Sequence, residues 1–265
     1  MDQAIIVIPA RYGSTRLPGK PLIKIANKTL LQHVCEKALI AAKQIPNVNV
    51  LVATDDERIM QHAKDIGVAA VMTQTTCASG SDRVLAAIQQ LSNKPKYVIN
   101  LQGDAPLTPI NVITALLNSL ANNNEIVTPV LRLSWQDLDG LRRAKLTTPF
   151  SGTTVICNHS NEAVWFSKQI IPALRDEDKL RTQNLSSPIY QHLGIYGYAL
   201  PMLEKFTQLP PGYYEQLEGL EQLRFLENGY KINVVPVILD NLDAWRGVDT
   251  MEDAKFVESL LIRNL

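Results

Sequence analysis

The sequence predicts an α/β protein with a mostly parallel sheet, helices on both faces and a smaller antiparallel extension. Three observations carry that expectation. Up to about residue 124, short β-branched apolar runs alternate with stretches of helical period, as in βαβ units whose strands are covered on both faces. Thr, Asp, Ser, Pro and Gly mark the junctions where helices should start and stop. From about residue 125 the pattern changes to short strand-like pieces separated by polar segments. The chain thus divides into residues 1–124, the first half of a core, and residues 125–265, a second half returning to the same sheet within one structural domain.

Residues 4–8 (AIIVI) are apolar, rich in β-branched residues and bounded by Pro9, which reads as a buried strand. The strand empties into a loop containing Gly13, Pro18, Gly19 and Pro21 with three cations, Arg11, Arg16 and Lys20. A helix begins at Thr29 and sets Leu31, Val34, Cys35, Ala38 and Leu39 on one face. Residues 49–54 form a second strand, Asp55 and Asp56 open a helix that Gly67 ends, and residues 68–73 form a third strand. Ser81 or Asp82 caps the next helix, and residues 97–102 (YVINLQ) are a fourth strand. Thr108 and Pro109 supply an N-cap and a proline at the first helical position.

In the second half, EIVTPVLRL, GTTVICN, AVWFS and residues 190–200 read as strands, and residues 172–188 as a polar connection. EQLEGLEQLRFLEN is a helix ended by Gly229, with Leu217, Leu220 and Leu223 facing inward. KINVVPVIL is the last strand, and a final helix starts at Thr250.

Bulk properties narrow the function. In 265 residues, 26 basic side chains balance 26 acidic ones, which argues against nucleic acid or an anionic membrane as the main partner. No window approaches 18 apolar residues, and no basic start precedes an apolar run, so neither a membrane span nor a signal peptide is expected. Cys35, Cys77 and Cys157 are odd in number and lack CxxC spacing, so they read as reduced thiols of a cytoplasmic protein.

The first loop carries the sharpest signal. Five Lys or Arg against one acid in residues 1–30 put positive charge and backbone N–H groups at the C-terminal end of a strand, where phosphates bind. An ordinary turn with solvated charges is the alternative. Its spacing fits neither a Walker A loop nor GxGxxG: five residues separate Gly13 from Gly19, and Pro21 follows Lys20. The stretch IPARYGSTRLPGKPL resembles the signature loop of cytidylyltransferases that activate 3-deoxy-manno-octulosonate (Kdo), the CMP-Kdo synthetases.

That resemblance continues in order along nearly the whole chain. It implies a Rossmann-like nucleotidyltransferase sheet whose first half binds nucleotide and whose second half binds sugar and forms a homodimer. It implies CMP transfer from CTP to Kdo for lipopolysaccharide biosynthesis, with Mg²⁺ as cofactor and pyrophosphate as by-product. Ala10, Arg11, Ser14, Arg16 and Lys20 would hold the nucleotide, Arg11 and Lys20 acting catalytically.

In QGDAP, Asp104 follows an apolar strand, where a carboxylate either caps a turn or faces the phosphate loop. The resemblance makes it a catalytic magnesium ligand and turns Gln102 toward both substrates, while Ala105 replaces a usual acid or amide. In GVDT, either Asp249 or Thr250 reads as the N-cap of the last helix; the resemblance gives Asp249 a second role as metal partner of Asp104. In CASGSDR, Ser79 and Gly80 permit close backbone approach to a flat ligand, and Arg83 can reach a base or phosphate.

For the sugar acid, the resemblance implies His192, Tyr196, Glu221 and Gln222, with Lys168 standing where the family has Arg. Residues 147–158 lack the family's Asn-Pro-Asn and Val-Lys-Val patterns. His33, His62 and His159 receive no role. Rival readings keep the chemistry on 8-amino-Kdo or a sialic-acid-like sugar, or keep only a nucleotide-sensing fold.

Overall fold

β1 (Ala4–Ala10) alternates its side chains between two cores. Ala4, Ile6 and Ile8 belong to one buried cluster and Ile5 and Val7 to the other, as a strand covered on both faces requires. The computed structural model describes residues 3–13, 17–183, 186–239 and 247–263. Ser14 and Arg16, two of the expected nucleotide ligands, lie outside the described residues.

From β1 the chain runs through a small hairpin, β2 (Lys24–Ile25) and β3 (Lys28–Thr29), into α1 (Leu30–Gln44), β4 (Val48–Thr54), α2 (Glu57–Asp65) and β5 (Ala69–Met72). Then come α3 (Gly80–Gln89), β6 (Tyr97–Asn100) and α4 (Ile110–Ala121). The second half begins with β7 (Ile126–Ser134), α5 (Trp135–Lys145), β8 (Thr153–Cys157), β9 (Ala163–Ser167), α6 (Glu177–Gln183) and β10 (Ser186–His192). It ends with β11 (Tyr196–Ala199), α7 (Leu200–Gln208), α8 (Tyr213–Glu218), α9 (Leu223–Glu227), β12 (Asn233–Val237) and α10 (Met251–Arg263).

β5, β4, β1 and β6 pair in that order, all parallel. Past β6 the sheet turns antiparallel: β11 pairs with β6 and β7, β10 with β7 and β8, and β8 with β9. β12 returns to pair with β7 in parallel. Side chains of α1, α2 and α4 fill the core on one face, and those of α3, α7 and α9 fill it on the other.

The first half follows the sequence pattern closely. Thr29 caps α1 by accepting from the Gln32 N–H at 3.1 Å. The cap of α3 is Ser79, two residues before the expected start, because Asp82 closes a capping box with it. α4 begins one residue late, at Ile110; Thr108 turns its hydroxyl to the Ala105 carbonyl at 2.8 Å instead of capping the helix.

The second half departs further. Residues 190–200 do not form one strand: β10 and β11 are separated at residues 193–195, where the Leu193 N–H reaches the Pro129 carbonyl and the Thr128 hydroxyl reaches the Ile195 carbonyl. The break lets one side pair with β8 and the other with β6. The single helix expected over residues 215–228 is split at Gly219, whose left-handed φ of 63° ends α8. This leaves Leu217 65% exposed, not inward, while Leu220 and Leu223 are buried. Helices α5 and α7 occupy stretches without an assigned helix, α5 starting from a capping box of Ser134 and Asp137.

Gly197 sits where β11 is squeezed between β6 and β7. A Cβ there would lie 2.7 Å from Val127 Cγ2, 2.9 Å from Ile99 Cδ1 and 3.0 Å from Leu120 Cδ1. Gly197→Ala should therefore cost about 1–3 kcal/mol through overpacking. A lower midpoint of urea unfolding is the expected outcome; an unchanged midpoint would contradict this packing.

Candidate active site

Three distant segments meet at the C-terminal ends of β1 and β6. The Leu101 N–H donates to the Val7 carbonyl at 3.0 Å, which keeps the loop after β6 beside β1. Gly103 then passes so close to β1 that a Cβ would lie 2.7 Å from the Pro9 carbonyl oxygen, so only glycine fits. Asp104 follows. Its carbonyl accepts from the Val248 N–H at 2.9 Å, and this backbone bond delivers Asp249 to the same place.

Lys20 comes from the first loop. It starts a 3₁₀ turn (Lys20–Leu22) after Gly19, whose φ is 70° and whose α-carbon is covered by the Tyr12 ring. The Gly19 N–H donates to the Tyr12 carbonyl at 3.0 Å, and the Arg58 guanidinium lies 3.4 Å from the centre of the Tyr12 ring. Lys20 Nζ donates to Asp104 Oδ2 at 2.8 Å and to Asp249 Oδ1 at 3.1 Å. Thr250 caps α10 through a reciprocal pair with Asp253, so the Asp249 carboxylate is turned to Lys20 while a neighbour performs the capping.

These residues border a cavity of about 480 Å³ whose lining includes Ala10, Arg11, Lys20, Gln102, Asp104 and Asp249. Ser79 and Gly80, at the N-terminus of α3, form its other side. Arg83 also borders it, but this side chain is 4% exposed and its guanidinium is engaged, donating to Thr73 Oγ1 at 2.6 Å and Asp55 Oδ2 at 2.7 Å. Its geometry is that of a brace between α3 and the end of β4, not of a side chain extended toward a ligand.

Asp104 and Asp249 suit a hard divalent cation. Their side chains are 35% and 49% exposed, and both offer carboxylate oxygen to one positive centre. Among the described residues, no group of three or more His, Cys, Asp or Glu gathers to hold a metal. Two carboxylates are the donor set that magnesium commonly uses when phosphate and water complete its shell.

A second cavity of about 480 Å³ adjoins the first, sharing Gly80, Gln102 and Glu221. It forms at the break between β10 and β11, and its lining includes Asn100, Lys168, His192, Tyr196 and Gln222. Three buried polar atoms on this lining lack a hydrogen-bond partner: Asn100 Oδ1, the Tyr196 hydroxyl and Gln222 Nε2. Buried polar groups are almost always paired, so the three are suited to the hydroxyls of a polar ligand. His192 Nε2 meets Thr128 Oγ1 at 2.9 Å. Burial lowers the pKa of Lys168. Glu221 is exposed to the cavities, yet surrounding protein raises its carboxyl pKa.

The described residues with an expected nucleotide role thus gather at the first cavity, those with an expected sugar role at the second, and Gln102 borders both. Asn100 was not singled out from the sequence, although a lone amide at the end of the apolar run YVIN was the available signal. Glu218 and Lys145, which hold the backbone of Lys168, gave none.

Comparison with known proteins agrees with this geometry. The family described as Cytidylyltransferase matches residues 5–232. The 3-deoxy-manno-octulosonate cytidylyltransferase of Maricaulis maris is 42% identical over 260 residues, 97% of this chain and 96% of the relative. The 8-amino-3,8-dideoxy-manno-octulosonate cytidylyltransferase of Shewanella baltica is 39% identical, covering 97% of both chains. The solved structure of CMP:2-keto-3-deoxy-manno-octonic acid synthetase complexed with CTP superposes with a TM-score of 0.84 at 34% identity, covering 99% of this chain and 100% of that one.

Burial, with the Lys168 charge second, pushes His192 from 6.5 to about 3. The unfolded chain binds a proton in that interval and the folded chain refuses it. The stability tied to this group is complete above pH 6.5 and is lost as pH falls, by up to about 1.4 kcal/mol per pH unit. His192→Gln should flatten the acid side of the stability profile, measured as urea midpoints between pH 7 and about 4.5. Equal slopes for the two proteins would sink the assignment.

Proposed function

This chain belongs to the cytidylyltransferase family, and from that premise we propose that it transfers CMP from CTP to the anomeric hydroxyl of Kdo, releasing pyrophosphate. The observation that carries the reading is Lys20 spanning Asp104 and Asp249 at the mouth of one cavity that opens onto another. The hydroxyl oxygen of the sugar attacks the α-phosphorus, the bond to the β-phosphate oxygen breaks, and the hydroxyl proton leaves to solvent. Such a reaction needs positioning and charge neutralisation more than covalent help.

Each side chain then has a task. Arg11 and Lys20 bind the triphosphate oxygens and neutralise the charge that grows on departing pyrophosphate. Ser79, Gly80 and the backbone at Ala10 cradle the base. Asp104 and Asp249 would hold Mg²⁺, which supplies Lewis-acid charge to the phosphate and the attacking hydroxyl. Lys168 draws the sugar carboxylate, while Tyr196, Glu221 and Gln222 bind hydroxyls. His192, neutral at physiological pH, accepts or donates one hydrogen bond without adding charge. Gln102, bordering both cavities, orients the two substrates toward each other.

The same reading makes the protein a cytoplasmic homodimer that serves lipopolysaccharide assembly. The exposed Phe150, Val164, Tyr213 and Leu217, all in the second half, support an interface there. No described helix is long and apolar enough to cross a membrane. A second reading, transfer to 8-amino-Kdo, is favoured by the Shewanella baltica relative at 39% identity. Kdo, 8-amino-Kdo and a sialic acid, each offered with all four nucleoside triphosphates and scored by product mass, separate the two.

Lys20→Ala and Asp104→Asn should each lower pyrophosphate release at least about 100-fold, the order of one lost electrostatic stabiliser. Far-UV circular dichroism should stay unchanged. Near-normal release in both variants would refute the roles given to them.

A further inference from the structure

Residues 147–158, where the family pattern is missing, are held by a side chain just outside them. Lys145 is the last residue of α5. Its ammonium donates to the carbonyls of Ser151 at 2.5 Å, Lys168 at 2.6 Å and Gly152 at 3.1 Å, with the Pro149 carbonyl at 3.4 Å. An ammonium has three donors, so the three nearer carbonyls saturate it. Residues 146–151 are exposed, and the Thr147, Thr148 and Ser151 bonds are local to the turn. Lys145 therefore joins this loop to the chain that follows β9.

Lys168 is gripped from the other side as well. Its N–H donates to Glu218 Oε2 at 2.7 Å, while Glu218 Oε1 accepts from the Ser167 hydroxyl at 2.8 Å. A carboxylate thus holds the N–H of Lys168 and an ammonium holds its carbonyl. Both bonds are charge-assisted, the stronger class. Gly152, which Lys145 also binds, lines the second cavity together with Lys168. Desolvation, then the Lys168 charge, lowers the Lys145 pKa, as enclosure of an ammonium by protein should.

We propose that Lys145 and Glu218 are positioning residues that clamp the Lys168 backbone and so set the affinity of the second cavity for the carboxylate of a sugar acid. The inference rests on the reading that this cavity takes the sugar. Neither residue needs to touch substrate: Lys145 fixes one wall and the start of the loop, and Glu218 fixes the strand end from which Lys168 projects.

Steady-state kinetics of the full chain with CTP and Kdo test it. Lys145→Met should raise the KM for the sugar acid about tenfold, the scale of one charge-assisted hydrogen bond, with the KM for CTP unchanged within about twofold. Lys145→Arg, which keeps charge and donors, should recover most of the loss. Because the effect runs through Lys168, Lys145→Met should add nothing in a Lys168→Met background. Additive effects, or KM values for both substrates rising together, would overturn the clamp. If Lys145→Met does not fold, Glu218→Gln against Lys168→Met decides by the same criterion. If the wild-type chain releases no pyrophosphate with any sugar acid, the functional reading fails separately. The clamp is then judged by amide exchange at residues 150–153 and 168, which speeds up in Lys145→Met if it stands and is unchanged if it does not.

Discussion

Lys20 holds two carboxylates that the chain order keeps 145 residues apart, and all three side chains line the first cavity. Without a cation between them, two aspartates brought this close would repel. With the ammonium there, the pair is neutralised to a single net negative charge. The two bonds are partly exposed and so worth little in stability. Their value is positional, and the surroundings enforce it. Val248 is fully buried with Leu17, Ile25, Leu30, Ala254 and Val257, which docks α10 against the β2–β3 hairpin. The Ala26 N–H adds a bond to Glu258 at 2.8 Å.

The site stands on short loops anchored at the C-terminal ends of β1 and β6. Pro9, Gly103 and the Val7–Leu101 bond fix two parallel strand ends before any side chain is considered. On that base, Arg11, Lys20, Asp104 and Asp249 need only short reaches to share one cavity. The second cavity arises differently. It occupies the gap left between β10 and β11, which pair with different neighbours, and the unpaired side-chain atoms of Asn100, Tyr196 and Gln222 lie on its lining.

The first half was legible because its strands are buried on both faces and its helices have one apolar stripe, two patterns that sequence displays directly. Thr29 opened a helix and Gly67 closed one where their chemistry predicts. The second half was not, for identifiable reasons. Residues 190–200 have a continuous strand pattern, and the break comes from tertiary bonds to Thr128 and Pro129, nowhere near in sequence. The Gly219 interruption was present as a single glycine inside a helical period, which alone does not say whether the helix bends or stops. The cavity residues were readable through family motifs, whereas the partners of Arg83 were not. Asp55 also reads as part of a helix start, and only the fold brings it to Arg83 at 2.7 Å.

One topological feature bears on how the chain is made. β6 ends at Asn100, but the strand that covers its free edge, β11, begins at Tyr196. At translation speeds of about 5–20 residues per second, that edge waits about 5–20 s on the ribosome before its neighbour exists. Throughout that interval the nascent polypeptide carries a bare, apolar ribbon, Tyr97 to Asn100, able to pair with any passing strand. An edge left open this way is a site of aggregation until the second half of the sheet arrives.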